Sequence, residues 1–161
     1  MKNSIYLLSI LALSVLVSCG EKKKPAKLST SGLTTGKHCY AATFEKDSAS
    51  LTLDIDADGN LKGTLTVNYY NADTVAKRRE STDGAFGGAF RGDTLLADYS
   101  FTSGKNKDAK YFNPIALLHK GDTLIMGHGQ MYFYLGRTYF DPKVPIVYHN
   151  SRFRFLHVGC K

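Results

Sequence analysis

The strongest constraint on the fold is a pair of alternating segments joined by a tight turn. Leu51, Leu53 and Ile55 alternate with polar residues, and the same period-2 pattern returns over residues 61–69. Asp58-Gly59 lies between the two segments and is a strong short-range signal for a β-hairpin. Because side chains alternate across a strand, each segment is predicted to bury one face and expose the other.

The rest of the domain repeats this pattern. Further strands are predicted at about 38–45, 85–91, 94–102, 110–118, 123–135 and 152–158. Turn dipeptides separate them at Asp83-Gly84, Gly92-Asp93, Ser103-Gly104 and Gly121-Asp122. The polar segment 71–81 predicts a short exposed helix or a long loop. No apolar stripe of helical period lasts three turns. We therefore predict an all-β domain, a single antiparallel sheet of about eight strands curled into a barrel or half-barrel, with a β-sandwich as the alternative.

The N-terminus has the residue pattern of an export signal. Lys2 precedes an apolar run over residues 5–17, which is shorter than the roughly 20 residues of a transmembrane helix. The run ends in Leu16-Val17-Ser18-Cys19, where an ordinary cleavage site would favour a small residue in place of Leu16. This motif resembles the lipobox of bacterial lipoproteins. The alternative is an ordinary cleaved signal that ends near a cysteine.

The lipobox resemblance implies that Cys19 receives a diacylglyceryl group and then, once its amine is free, a further acyl chain such as palmitate. Several acyl chains would hold the protein on a membrane almost permanently. Gly20 is unlike the aspartate that retains many lipoproteins at the inner membrane, so the resemblance favours the outer membrane, with the domain facing the periplasm or the cell exterior. The predicted organisation is a signal peptide at 1–18, a flexible tether at 19–36 and a barrel at 37–161.

Most of the formal charge of +7 belongs to the leader and tether. From Leu28 onward there are 16 basic and 13 acidic residues, a net charge of +3. The lysines between residues 22 and 27 are interpreted as a solvated spacer or as contacts to anionic lipid headgroups. No basic stripe with interleaved aromatic residues occurs in the domain, so nucleic-acid binding is not predicted.

Cys39 and Cys160 lie near the two ends of the predicted barrel. An exported compartment is oxidising, so we predict that they form a disulfide. Free thiols or a metal site with His38 and His157 are the alternatives. Adjacent strand residues point to opposite faces, which argues against His38 and Cys39 sharing one ion.

Residues 54–59 copy the first half of a calcium-binding loop. Asp54, Asp56 and Asp58 place carboxylates at alternate positions before Gly59, but Leu65 occupies the place of the usual bidentate glutamate. A solvated hairpin is the preferred interpretation, with a weak calcium site as the alternative. No other cofactor and no catalytic residues are predicted, because nucleophile elbows, paired metal-ligand histidines and phosphate-binding loops are missing.

Aromatic residues recur along the predicted strands and fill a barrel core or line a small apolar cavity. The candidate ligand-lining residues are Leu95, Ala97, Tyr99 and Phe101, where the small Ala97 leaves room.

The domain resembles the small lipocalin-like barrels found on many bacterial lipoproteins. The residues that carry the resemblance are the lipobox, Cys39-Tyr40, Cys160 and the segments 59–65 and 92–99. We therefore expect a monomeric, non-catalytic envelope lipoprotein that binds a small apolar ligand or lipid. A structural or partner-binding accessory protein of the envelope is the alternative.

Overall fold

The computed structural model describes residues 32–70, 79–104 and 106–161, and this part of the chain contains β-strands and no helix. It therefore holds no helix long and apolar enough to cross a membrane. The strands are β1 (Gly36–Phe44), β2 (Asp47–Ile55), β3 (Leu61–Tyr70), β4 (Arg79–Arg91), β5 (Thr94–Ser103), β6 (Asn106–Lys120), β7 (Thr123–Met126), β8 (Met131–Tyr134), β9 (Arg137–Phe140) and β10 (Arg154–Val158).

Eight of these strands form a closed antiparallel barrel in the order β1-β10-β7-β6-β5-β4-β3-β2. The prediction of one antiparallel sheet of about eight strands is confirmed, and its closure selects the barrel over the half-barrel and the sandwich. The alternating apolar and polar side chains that predicted the strands point to the inside and the outside of the barrel, respectively. In β2, for example, every second residue from Asp47 to Ile55 is buried.

Two glycines let side chains and strands approach closely in the wall. The Phe86 ring lies over Gly63, where an added Cβ would be 2.5 Å from the ring carbon Cζ. An added Cβ at Gly88 would be 2.6 Å from the Cα of Ala97 on the neighbouring strand. Neither position accommodates a side chain without movement of its neighbour.

The predicted strand 123–135 is divided in the structure. β7 ends at Met126, and Gly127 then packs against Ile146 and Tyr148, where a side chain would not fit. A single bridge between His128 and Val147 follows, and the chain leaves the barrel to form the β8–β9 hairpin. The apolar residues of 131–134 are therefore not part of the barrel wall.

The predicted turn at Asp83-Gly84 is wrong. Both residues lie within β4, where Gly84 pairs with Leu65 and the Asp83 carboxylate accepts a 2.7 Å hydrogen bond from the Thr66 hydroxyl. Neighbouring strands supply these partners, and a local turn signal does not report them. Of the segment 71–81, residues 71–78 lie outside the described residues and 79–81 begin β4.

The barrel has two ends, which we name by their residues. The tether end contains the start of β1 and the turns at 56–60, 92–93 and 121–122. The mouth end contains the turn at 45–46, the ends of β3 and β5, and the exit from β7. Leu33 packs against the core before β1 begins at Gly36. The predicted signal peptide, and residues 19–31 of the predicted tether, lie outside the described residues.

The barrel closes where β1 pairs with β10 through Cys39–Val158, Tyr40–His157 and Ala41–Leu156. Cys160 follows β10 and forms a disulfide with Cys39, with a Cα–Cα distance of 5.2 Å. The predicted bridge is confirmed.

Candidate functional site

A cavity of about 180 Å³ lies at the mouth end, inside the wall formed by β3 to β7. We call it the mouth cavity. Its apolar walls come from Leu65, Val67, Phe101, Ile115, Met126 and Phe153, and Met131 at the start of β8 covers one side. Its polar groups belong to Tyr69, Thr82, Tyr99 and Asn113. A concave apolar site with a few polar groups is the usual form of a small-molecule site.

All four residues predicted to line a cavity lie on the inner face of β5. Leu95, Ala97 and Tyr99 are buried, and Phe101 packs against the core with partial exposure. Tyr99 and Phe101 line the mouth cavity, and their stacked rings lie 4.8 Å apart between centroids. Leu95 and Ala97 belong to the core closer to the tether end. A ligand-binding role for these residues stays a prediction.

Tyr99 is buried, whereas the other polar residues of the mouth cavity are only partly buried. The Tyr99 hydroxyl donates a 2.7 Å hydrogen bond to the carbonyl oxygen of Leu65. Burial raises the pKa of Tyr99 to about 12, so the phenol is neutral at physiological pH. Tyr99 and Thr82 therefore contribute uncharged hydroxyl groups to the lining of the cavity, since a threonine hydroxyl does not titrate.

A buried carboxylate lies beside the cavity at the mouth end. Asp47 accepts a 2.6 Å hydrogen bond from the backbone N–H of Tyr70 and forms an ion pair with Arg152. The Tyr70 hydrogen bond, together with that from the Arg152 guanidinium, holds the pKa of Asp47 below its usual range. Asp47 is therefore an ionised group on the inner face of the barrel.

The Arg152 guanidinium covers this part of the mouth. It lies over the rings of Tyr69, Phe44 and Phe153, with its Cζ 5.1, 5.7 and 5.7 Å from their centroids. Cation–π contacts of this kind fix a planar cation between aromatic side chains. Sequence reasoning missed the pair. A signal existed for Asp47, which precedes Ala49, Leu51 and Leu53 in the inward phase of β2.

Asp54 and Asp56 of the predicted calcium loop have different partners in the described structure. Asp56 caps the hairpin turn by accepting hydrogen bonds from the backbone N–H of Asp58 at 3.0 Å and of Asn60 at 2.8 Å. Hydrogen bonds from the side chain and backbone of Asn60 lower the pKa of Asp56. The Asp54 carboxylate lies on the exposed face of the hairpin, with its Oδ2 3.9 Å from Nζ of Lys62. Among the described residues 32–70, these carboxylates do not form a metal-binding arrangement. A calcium site stays a prediction.

Histidines collect at the tether end, around a second cavity of about 200 Å³. The rings of His38 and His157 lie 6.2 Å apart between centroids, and Nε2 of His38 is 2.8 Å from the carbonyl oxygen of Thr34. The described residues contain no group of three or more His, Cys, Asp or Glu side chains arranged to hold a metal ion.

The outer wall carries a third, more open groove of about 320 Å³, which we call the outer groove. Gly87 and Leu96 form part of its floor, and Phe140 of the β8–β9 hairpin forms one wall. It is larger than the mouth cavity but lies on the convex side of the sheet.

Comparisons of the chain with protein-family models, curated proteins and solved structures find no match. The functional assignment therefore depends on the geometry of the sites described above.

Proposed function

We propose that the protein is a lipid-anchored envelope protein that holds a small apolar ligand, or part of a lipid, in the mouth cavity without catalysing a reaction. Acylation of Cys19 would supply the anchor on the outer membrane. The observation that supports the binding role is the mouth cavity itself. It combines apolar walls, a small number of neutral polar groups and an opening at one end of a closed barrel.

The size of the mouth cavity limits the ligand. At about 180 Å³, it is close to the roughly 150 Å³ of an engineered apolar cavity that binds benzene. It is smaller than the roughly 300 Å³ at which drug-sized sites begin. The proposed ligand therefore inserts one ring or the end of an acyl chain, and its remaining part stays at the opening.

The polar groups divide between structure and recognition. The Tyr99 hydroxyl already donates its hydrogen bond to the Leu65 carbonyl, so Tyr99 contributes mainly to the shape of the site. The Thr82 hydroxyl, which is hydrogen-bonded to the Tyr99 side chain, and the Asn113 amide also line the cavity, and both are proposed to orient a hydroxyl or ester oxygen of the ligand.

Ligand binding is tested with a chain of residues 20–161, which keeps every barrel strand, the core and the disulfide. We expect N-phenyl-1-naphthylamine to fluoresce on binding and to be displaced by fatty acids and alcohols of graded length. Thr82→Phe should weaken probe binding at least tenfold, because the phenyl ring would fill the cavity. A tenfold loss of affinity corresponds to about 1.4 kcal/mol of binding free energy.

Thr43→Phe is the matched control, because Thr43 is exposed on the outer side of β1. Equal probe binding by both variants, or no probe binding by the unmodified chain, contradicts the proposal. Native mass spectrometry of gently purified protein adds an independent readout, a mass increment from a co-purifying ligand in the unmodified chain that is lost in Thr82→Phe.

The anchor is tested separately in cells. Labelled palmitate is expected to enter the full chain and not the Cys19→Ser variant, and that variant should leave the membrane fraction. Equal membrane retention of both chains would contradict acylation at Cys19 without affecting the ligand test.

The partner-binding alternative is supported by the outer groove, whose wall includes Phe140 outside the barrel. It predicts that Gly87→Trp, which would fill the groove from its floor, disrupts binding of an envelope partner while probe binding in the mouth cavity is unchanged.

A further inference from the structure

The β8–β9 hairpin exposes a run of large apolar residues. The exposed fraction is 49% for Met131 and 47% for Tyr132, and then rises to 73% for Phe133, 59% for Tyr134 and 80% for Leu135. Exposure is therefore greatest at the tip of the hairpin. A contiguous exposed apolar surface of this kind marks an interaction site on a soluble domain.

The turn at the tip has an unusual residue for its conformation. Leu135 and Gly136 form the two-residue connection between Tyr134 and Arg137, and both have positive φ, at 47° and 78°. This is the backbone pattern of a type I′ turn, in which asparagine followed by glycine is favoured. A branched apolar side chain is held there in water at a conformational cost, which points to a role for the side chain.

Contacts at the base of the hairpin set its direction. Phe140 lies near Leu96 and Pro114. The Arg137 guanidinium has a nitrogen 3.9 Å from the Asp98 carboxylate. Its Cζ is 5.2 Å from the ring centroid of Phe112. Going from Phe140 to Arg137, the contacts move along β5 and β6 toward the mouth end. The tip therefore projects on the side where the mouth cavity opens.

The charge of the hairpin fits a lipid surface. Residues 127–140 contain no aspartate or glutamate, and Arg137 is the one lysine or arginine among them. Tyr132 and Tyr134 flank Phe133, and tyrosine favours the boundary between hydrocarbon and water. Neighbouring Lys110 and Tyr111 on β6 are also exposed.

We propose that the tip of the β8–β9 hairpin inserts Phe133 and Leu135 into a lipid surface and brings the mouth cavity to that surface. The proposal extends the proposed function, because it makes membrane lipid the source of the apolar ligand. Insertion of the tip itself depends only on the hairpin.

The length of the tether permits this orientation. Cys19 and Gly32 are separated by 13 residue steps, which span at most about 45 Å. A nine-residue strand such as β2 is about 30 Å long. A chain anchored at Cys19 and entering the barrel at the tether end can therefore still turn the mouth end toward the same membrane.

A lipid surface explains the exposure better than a second copy of the chain does. Pairing of two β8 edges would use the backbone along the whole strand and would bury Met131 and Tyr132 as much as the tip. The observed exposure instead peaks at Phe133, in the second-last strand pair, and at Leu135, in the turn beyond the last pair.

Tryptophan fluorescence tests the insertion directly, because the chain has no tryptophan. Phe133→Trp is made in the chain of residues 20–161 and mixed with vesicles of phosphatidylethanolamine and phosphatidylglycerol. Emission should shift to the blue and be quenched by brominated acyl chains. Leu156→Trp is the matched control, since Leu156 is 59% exposed on β10 and should show neither effect.

A second pair of variants separates insertion from folding. Leu135→Asn places a favoured residue in the turn and removes the apolar tip, so the melting temperature should be unchanged or higher. Combined with Phe133→Ser, it should reduce vesicle co-flotation at least tenfold, a loss of about 1.4 kcal/mol. Probe binding in the mouth cavity should persist, because neither residue lines it.

The outcomes are distinct. Unchanged co-flotation in the double variant, or equal tryptophan signals at 133 and 156, overturns the proposal. Concentration-dependent dimers that are lost in the double variant, without vesicle binding by the unmodified chain, replace lipid by a second copy as the occupant. Loss of co-flotation with intact probe binding supports tip insertion. Absence of probe binding with intact co-flotation contradicts only the cavity.

Discussion

Tyr99 illustrates how a single residue serves both the core and the proposed site. The alternation of β5 predicted that its side chain faces the barrel interior, and the structure places the ring on Phe101 with the hydroxyl on the Leu65 carbonyl. The Asp47–Arg152 pair was not predicted, because its two residues are 105 positions apart in the chain. The direction in which a side chain points can be predicted from its own strand. Its polar partners depend on which strands lie side by side in the fold.

Alkaline pH tests the environment of Tyr99. Its pKa is about 12 in the folded state and near 10 in the unfolded state, so above pH 10 the unfolded chain releases the proton first. Stability should therefore fall with rising pH between these values, by up to about 1.4 kcal/mol per pH unit.

Urea unfolding of the unmodified chain and Tyr99→Phe at neutral pH and at steps above pH 10 measures this slope. Tyr99→Phe should be less stable at neutral pH by about 1 kcal/mol, for the lost hydrogen bond, and should show a shallower alkaline decline. Burial also raises the pKa of Tyr40, so part of the decline should remain. Identical slopes in both chains would contradict the assignment to Tyr99.

At the scale of elements, the sequence predicted the existence of most strands and missed how some of them end. β1, β5 and β10 lie within a few residues of their predicted bounds because alternation and turn residues agree there. The division of 123–135 was not predicted, because both faces of that segment are apolar and alternation is uninformative. The close packing of Gly127 against Ile146 and Tyr148, about twenty residues later, ends β7.

The glycines of β4 give a matched test of strand packing. Gly88→Ala should lower the free energy of unfolding by about 3 kcal/mol, the upper part of the range for overpacking, because its Cβ would meet the backbone of β5. Gly87→Ala should change it by less than about 1 kcal/mol, since its nearest neighbour would be 3.8 Å away. Urea denaturation measures both, and equal effects would contradict the described register of β4 and β5.

At the scale of the molecule, the barrel depends on a short seam. β1 and β10 share three residue pairs, fewer than any consecutive pair of barrel strands from β1 to β7. The Cys39–Cys160 bridge lies beside this seam and spans 121 positions of sequence. The cysteine pairing was predicted from the expected export of the chain and from the number of cysteines, whereas the partner strand of β1 required the closed topology.

Removal of the bridge should weaken the whole barrel. In the chain-entropy model, a loop of this length corresponds to about 4 to 5 kcal/mol. The Cys39→Ala/Cys160→Ala variant should therefore have a free energy of unfolding that is lower by about this amount. Urea unfolding measures the loss as a lower midpoint. A reduced unmodified chain is the control and should behave like the variant. A loss below about 1 kcal/mol would contradict stabilisation by the bridge.

The closing seam also determines the order in which the fold can be completed. Every other wall contact of β1 to β7 joins strands that follow each other along the chain, but β10 must pair with β1 and with β7 on its two sides. Without β10, the first seven strands can consequently form only an open sheet, with β1 and β7 as unprotected edges. The arrival of residues 154–158 converts that sheet into a cylinder, so a chain interrupted before Arg154 would be an aggregation-prone half-product rather than a smaller barrel.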